Sequence, residues 1–396
     1  MVLTMKILII AFADSIHTAR WINQICSQEH EIYIFPNHNH QKTSIALNAN
    51  VKLIKANVFE YLLYYLLKII NQIIYRKNNK EVNEYLYNVF RAKQIHQFIQ
   101  QKKPDIIHSL EFQNSCYLTL FTKQKYYQNN PFPKWIATNW GSDIYLFGRI
   151  KKHQEIIRQI LAECDYYSCE CHRDVKLAQD FGFQGRVLPV FPNTGGFDLE
   201  IISKLRQRGL TSQRKIIMLK GYQTWAGRAL FGLRALERCA DILQGYQIYV
   251  YSARTEDMQI AIELFAYSTG ITITALPLGL SHQEILELHG KARISLGISI
   301  SDGISTSLLE AMVMGSFPIQ SWTACANEWL IDGETGLLVP PEDVELIESA
   351  IRKALIDDQL VDNADQRNYD LAKLKLDNKN LQKKINHFYQ TVLEEQ

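Results

Sequence analysis

The chain has 396 residues, 47% of them hydrophobic and 21% charged, with a net charge of +2. Its length exceeds one ordinary domain and its composition is that of a globular enzyme, which excludes fibrous and disordered classes. The near-neutral charge gives no ground for a nucleic-acid partner, and the seven scattered cysteines argue against a disulfide framework and for a reducing cytoplasm.

Residues 1–12 are apolar but lack a cationic start and a small-residue cleavage site, so they read as a first buried strand rather than a signal peptide. Continuous apolar runs then alternate with helical patterns, as in a parallel sheet covered on both faces. Strands are predicted at 6–12, 31–35, 51–54, 105–109, 134–139, 166–171 and 186–190. Between them, the apolar stretch 61–75 is interrupted by Lys68, Asn71 and Gln72 and followed by Arg76, Lys77 and Lys80. It suits an interfacial helix on anionic lipid, and equally a helix on the first sheet with a solvated basic end. No run is long enough for a spanning helix. Cys164, Cys169, Cys171 and His172 resemble a metal cluster in spacing only; Cys169 and Cys171 fall on a predicted buried strand, so they are expected in a core and no metal site is expected.

Turn formers cluster at Pro189, Pro192, Asn193, Gly195 and Gly196, and the alternation restarts with strands at 215–219, 247–251, 271–275, 293–298 and 317–320. Two doubly wound α/β domains are therefore predicted, 1–195 and 196–362, followed by a polar helical tail over 363–396.

The most informative stretch is Ser301-Asp302-Gly303-Ile304-Ser305-Thr306-Ser307-Leu308-Leu309-Glu310. An acid, a glycine and three hydroxyls precede an apolar helix that carries a second acid. Free N–H groups and the positive dipole end of such a helix suit a phosphate, and the hydroxyls of Ser305, Thr306 and Ser307 can cap the helix or bond that phosphate. Asp302 and Glu310 bracket this turn, where carboxylates can accept from sugar hydroxyls.

The spacing of Asp302 and Glu310 resembles the acid-x7-Glu motif of retaining GT-B glycosyltransferases of the family-four type. Asp332-Gly333-Glu334-Thr335-Gly336, Asp14-Ser15-Ile16-His17 and Trp140-Gly141-Ser142-Asp143 resemble further segments of that family. The resemblance implies two Rossmann-like domains around an interdomain cleft, an N-terminal acceptor-binding domain, a C-terminal nucleotide-sugar-binding domain and a tail that crosses back to the first. It implies retention at the anomeric carbon, no dedicated cofactor, and a UDP or GDP sugar as the donor substrate. Glu310 would then hold the ribose hydroxyls, with Gly303, Ile304 and the three hydroxyl residues around the donor and Leu278 near the base. Asp302 stands where the family usually has Glu.

The basic residues that meet the diphosphate are expected among Lys220 and Arg228, with Arg228 the first choice, although Lys-Gly and Gly-Arg occur here in reversed order. His282 reads as a helix-start residue. On the acceptor side the candidates are Asp14, Ser15, His17, His108, which is expected to end a strand facing the cleft, and Trp140, which replaces a family histidine. Asp143 is the expected acid there. Acceptors of the resembling enzymes include glycans, glycolipids and small molecules, and stretch 61–80 favours a membrane-proximal one at the cytoplasmic face. The alternatives are a GT-B nucleotide-sugar epimerase or hydrolase, and a non-catalytic nucleotide- or glycan-binding relative.

Overall fold

The structure, a computed structural model, describes residues 4–25, 30–37, 43–44, 46–54, 62, 65–66, 69 and 80–394. The predicted interfacial segment 61–80 lies almost wholly outside the described residues. No described helix is long and apolar enough to cross a membrane.

The chain divides into two compact units. The first comprises Met1–Glu170, Asp174–Gly195 and Gln382–Gln396; the second comprises Cys171–Arg173 and Gly196–Leu381. The break falls in the predicted turn cluster at Gly195 and Gly196.

In the first unit, strands β1 (Lys6–Ala11), β2 (Glu31–Pro36), β3 (Lys52–Leu53), β4 (Ile106–Leu110), β5 (Lys134–Thr138), β6 (Tyr166–Ser168) and β7 (Arg186–Val187) form a parallel sheet. Their order is β3-β2-β1-β4-β5-β6-β7. Every residue of β4 is buried, as expected of a central strand covered on both faces. The helix Ile16–Ile25 buries Thr18, Ala19, Trp21, Ile22 and Ile25, the spacing of one helical face turned to the sheet.

In the second unit, β8 (Ile216–Lys220), β9 (Gln247–Tyr251), β10 (Ile273–Ala275), β11 (Ala292–Gly297), β12 (Phe317–Ser321) and β13 (Leu337–Val339) form a second parallel sheet ordered β10-β9-β8-β11-β12-β13. β13 was not predicted: three residues between Gly336 and Pro340 carry too little pattern to register as a strand.

The tail differs from its predicted bounds. The helix Asp358–Leu376 stays with the second unit, where Val361 and Ala364 join its main core and Asn368 donates to the Thr335 carbonyl at 2.8 Å. Only from Gln382 does the chain belong to the first unit. There Ile385, Phe388, Tyr389 and Val392 are fully buried at spacings of three, four and seven, which anchors this segment by an apolar stripe.

Candidate active site

In an open parallel sheet, ligands bind beyond the carboxyl ends of the strands where the order of connection reverses. In the second unit that point lies between β8 and β11. Lys220 is the last residue of β8, and the segment after β11 runs through Ser299 to Asp302 into the helix Thr306–Met314.

Backbone pairing fixes this edge. The Arg228 N–H donates to the Ile298 carbonyl and the Ile300 N–H to the Ala226 carbonyl, both at 2.9 Å, so the loop after β8 is laced to the segment after β11. Gly227 is required in that lacing, because a Cβ there would sit 2.0 Å from the Tyr222 carbonyl oxygen. The Arg173 guanidinium donates to the carbonyls of Asp302 and Thr323, each at 2.8 Å, and holds the turn from its other side. Sequence reasoning missed Arg173, which no local motif marks.

Lys220, Asp302, Gly303, Ser305 and Ser307 come together here. The Gly303 N–H donates to Asp302 Oδ1 at 2.9 Å, the Lys220 ammonium lies 3.5 Å from Ser305 Oγ, and Ser305 and Ser307 share a 2.8 Å hydrogen bond. Burial pushes the Asp302 carboxyl above the usual carboxylate range, opposed by the Lys220 charge, the Gly303 N–H and Arg173. Among the described residues Lys220 makes no ion pair; its ammonium lies over the Tyr222 ring at 5.6 Å. Ser305 occupies the N-cap position, but among the described residues no side chain caps the helix: the serine that could do so is bonded to Ser307 instead. Ile304 is buried in the core below the turn, and Thr306 is half-buried at the first helical position. A cation, hydroxyls and an uncapped helix start converge on one point, an arrangement suited to an anion.

Glu310 lies one turn further along and is buried. Its Oε1 accepts from His282 Nε2 at 2.9 Å, and its Oε2 is 3.7 Å from His289 Nε2. Burial pushes the His289 imidazole down to about 4, so it is neutral at pH 7. Both histidines come from the helix His282–Lys291, seven residues apart and so on one face. That spacing, with Ser281 and Glu284 forming a capping box that begins the helix, was the available signal for them. Leu278 is exposed on the loop before this helix.

The two expected cations differ in their surroundings. Arg228 ion-pairs through Nε with Glu342 and donates through Nη1 to the Gly227 carbonyl at 2.9 Å, so its guanidinium is already engaged.

In the first unit the reversal lies between β1 and β4. After β1, Asp14 is exposed, Ser15 Oγ accepts from the His17 N–H at 3.2 Å, and the His17 ring meets the Trp140 indole edge-on at 5.8 Å. Asp14, Ser15, His17 and Trp140 therefore share the strand-end region. His108 and Asp143 do not behave as expected. His108 sits mid-strand, fully buried, with Nδ1 2.7 Å from the Tyr389 hydroxyl and Nε2 2.6 Å from Thr138 Oγ1. Burial pushes it down to about 3, and both nitrogens are taken up by bonds within the fold. Asp143 accepts from the Trp140 N–H at 2.8 and 2.9 Å and from the Phe112 N–H at 3.1 Å. Its carboxyl ties two strand ends together, a structural task that withdraws it from the candidate acids.

Glu111, which directly follows β4, stands out beside them. It has a positive φ of 82°, its Oε1 accepts from the Asn114 N–H at 2.7 Å, and its buried Oε2 has no hydrogen-bond partner among the described residues. Burial, then the charge of Asp143, pushes its carboxyl up to about 8, while the Asn114 bonds pull the other way.

Of the cysteines expected in a core, Cys169 is buried in the first unit's core, beside Cys164, and Cys171 in the second's, although β6 ends at Ser168 and neither Cys169 nor Cys171 lies on it.

Residues 6–168 match the family model described as glycosyl transferase 4-like, and residues 262–371 match that of glycosyl transferases group 1. Among curated proteins no sequence match is found. Solved structures resemble the chain over nearly its whole length. The α,α-trehalose 6-phosphate synthase of Burkholderia multivorans matches at TM-score 0.72 and 13% identity, covering 99% of this chain and 96% of that one. The sucrose-phosphate synthase of Thermosynechococcus elongatus matches at 0.71 and 13%, covering 99% and 100%. Anabaena HepE, solved with UDP and glucose, matches at 0.66 and 13%, covering 98% and 100%. At such identity these likenesses speak for the fold, and the family models speak for the lineage. The chain belongs to the group 1 glycosyl transferases, built as two Rossmann-like domains of the GT-B class.

Proposed function

We propose that this chain is a retaining glycosyltransferase that moves a sugar from a UDP- or GDP-linked donor to a hydroxyl of a glycan, glycolipid or small-molecule acceptor. One observation carries the reading: Lys220, the hydroxyls of Ser305 and Ser307, and an uncapped helix start meet at the β8–β11 switch point, between Asp302 and Glu310. The diphosphate docks on that helix start, with Lys220 offsetting its charge; Glu310 accepts from the ribose diol and Asp302 from a hydroxyl of the transferred sugar. That HepE was solved with UDP and glucose adds support of a lesser kind.

The bond between the anomeric carbon and the phosphate oxygen breaks while the acceptor oxygen bonds that carbon on the same face. The acceptor's proton passes to the leaving phosphate oxygen. Such a path calls on no protein nucleophile; it calls on groups that hold charge as it develops on the diphosphate, which Lys220 and the helix dipole supply before the reaction begins. A charge-assisted hydrogen bond of the Asp302 kind contributes about 1.5–3 kcal/mol. On the acceptor side, Asp14, Ser15, His17 and Trp140 are the groups assigned to the incoming hydroxyl compound.

A thermal-shift panel of UDP, GDP and ADP, followed by transfer from the matching sugar nucleotides into mixed acceptors, tests the reading. Stabilisation by one nucleotide, transfer with retained anomeric configuration and activity that survives EDTA are expected. Binding without turnover would favour a non-catalytic relative, and sugar release without an acceptor a hydrolase. Cosedimentation with anionic vesicles tests a membrane-proximal acceptor.

A further inference from the structure

We propose that His282 is a positioning residue of the donor site: its imidazole fixes the Glu310 carboxylate in the orientation that receives the ribose diol. The proposal rests on the donor-site reading above and adds a residue to it.

Glu310 is buried, and a buried carboxylate needs a partner to set its direction. His282 supplies one, its Nε2–H donating to Oε1 at 2.9 Å. The imidazole is itself held in place. Ser281 Oγ accepts from the Glu284 N–H at 3.2 Å, and the Glu284 carboxylate accepts from the Ser281 N–H at 2.7 Å, which pins the first turn carrying His282. The ring also stacks against Phe197, centroids 6.2 Å apart and planes 24° apart.

On the far side of the carboxylate stands His289. It is fully buried, with Nδ1 2.8 Å from Ser295 Oγ and Nε2 without a hydrogen-bond partner among the described residues, 3.7 Å from Glu310 Oε2. One helix thus presents two imidazoles to one carboxylate, one bonded to it and one standing just beyond bonding distance. Such a frame lets a diol meet a carboxylate already aimed, with little ordering left to complete on binding. His282 touches no reacting atom in this scheme and acts through Glu310.

The test is calorimetric binding of UDP and GDP, and of the 2′-deoxy form of whichever binds, to the full chain and its variants. His282→Ala should weaken the nucleotide about tenfold, and His282→Gln, whose amide N–H reaches the same point, should restore affinity to within about threefold. His282→Asn is too short to reach and should behave as the alanine variant. The His282→Ala penalty should shrink to below about threefold for the 2′-deoxy nucleotide, which a merely structural role would not produce. His282→Ala combined with Glu310→Ala should bind no worse than Glu310→Ala alone. Wild-type affinity in both His282→Ala and His282→Asn, with Glu310→Ala weakened, would overturn the role of His282 and leave the donor site standing. An additive loss in the double variant would make His282 a direct ligand and overturn positioning. If the wild type binds neither nucleotide, or Glu310→Ala binds as the wild type does, the donor-site reading falls and this proposal with it. Should His282→Ala fail to fold, His282→Asn and His282→Gln decide the matter alone.

Discussion

The two units are built on the same plan and treat their polar residues in opposite ways. Each has a parallel sheet whose order reverses beside its first strand, and each gathers polar side chains at that point. In the first unit the fold itself consumes two of them: His108 is bonded at both nitrogens and Asp143 is taken by backbone N–H groups. In the second, Ser305 leaves its helix uncapped, and Lys220 stands over it without an ion pair among the described residues. A polar residue at a strand end is therefore not yet a site. What distinguishes the two cases is whether the surrounding backbone already satisfies it.

The largest effect expected from this contrast is on the second unit's turn. Asp302→Ala and Lys220→Ala should each lower transfer by about 10²–10³-fold, the range seen when a preorganised charge-stabilising group is removed. Both should leave the melting temperature within about 2 °C of the wild type. Activity within threefold of normal would erase the contrast.

His108→Ala should do the reverse. It opens a cavity beside Trp21 and Phe388 and strips a partner from Thr138 and Tyr389, at a cost of about 2–4 kcal/mol in denaturant unfolding. Nucleotide affinity should be unchanged. Wild-type stability in this variant would show that the imidazole is not needed for packing.

The first unit should also respond to pH. Burial raises Asp143 from 3.8 to about 7 and Glu111 from 4.5 to about 8. The folded chain therefore holds these protons more tightly than the unfolded one. Their contribution to stability is full below about pH 4 and is lost as pH rises towards 8. Glu111→Gln, which keeps a neutral group there, should flatten that decline in a melting series from pH 5 to 8. An unchanged slope would contradict the assignment.

The smallest effect belongs to Arg228. Its pairing with the half-exposed Glu342 predicts a stability loss of about 1 kcal/mol or less in Arg228→Ala. Nucleotide affinity should change by less than threefold; a loss as large as that of Lys220→Ala would restore Arg228 to the site.

Much of this was legible in the sequence, for physical reasons. Uninterrupted apolar runs such as Ile7 to Ile10 announce buried parallel strands, and the turn cluster at Gly195 and Gly196 marks the division of the chain. The acid–glycine–hydroxyl turn before residue 306 was likewise readable, because helix starts have a local signature. What could not be read were relations between distant residues. Nothing near Glu310 announces His282, 28 positions earlier, and nothing near Asp302 announces Arg173, 129 positions earlier. The partner of Arg228, Glu342, lies 114 residues away. His108 reads from the sequence as a strand-end ligand, and the group that binds it into the fold, Tyr389, lies 281 residues on. The return of the tail to the first unit was read, but its start was set too early, because the buried residues of helix Asp358–Leu376 are sparse among many polar ones and its stripe is faint.

The central claim is that a nucleoside diphosphate docks where the turn after Asp302 becomes a helix. A crystal structure with the bound nucleotide, UDP or GDP, tests it most directly. The account predicts the diphosphate within hydrogen-bonding distance of the N–H groups at the start of helix Thr306–Met314 and of Lys220 Nζ, with the ribose diol on Glu310. A diphosphate bound away from that helix start, with Lys220 and Glu310 untouched, would contradict it.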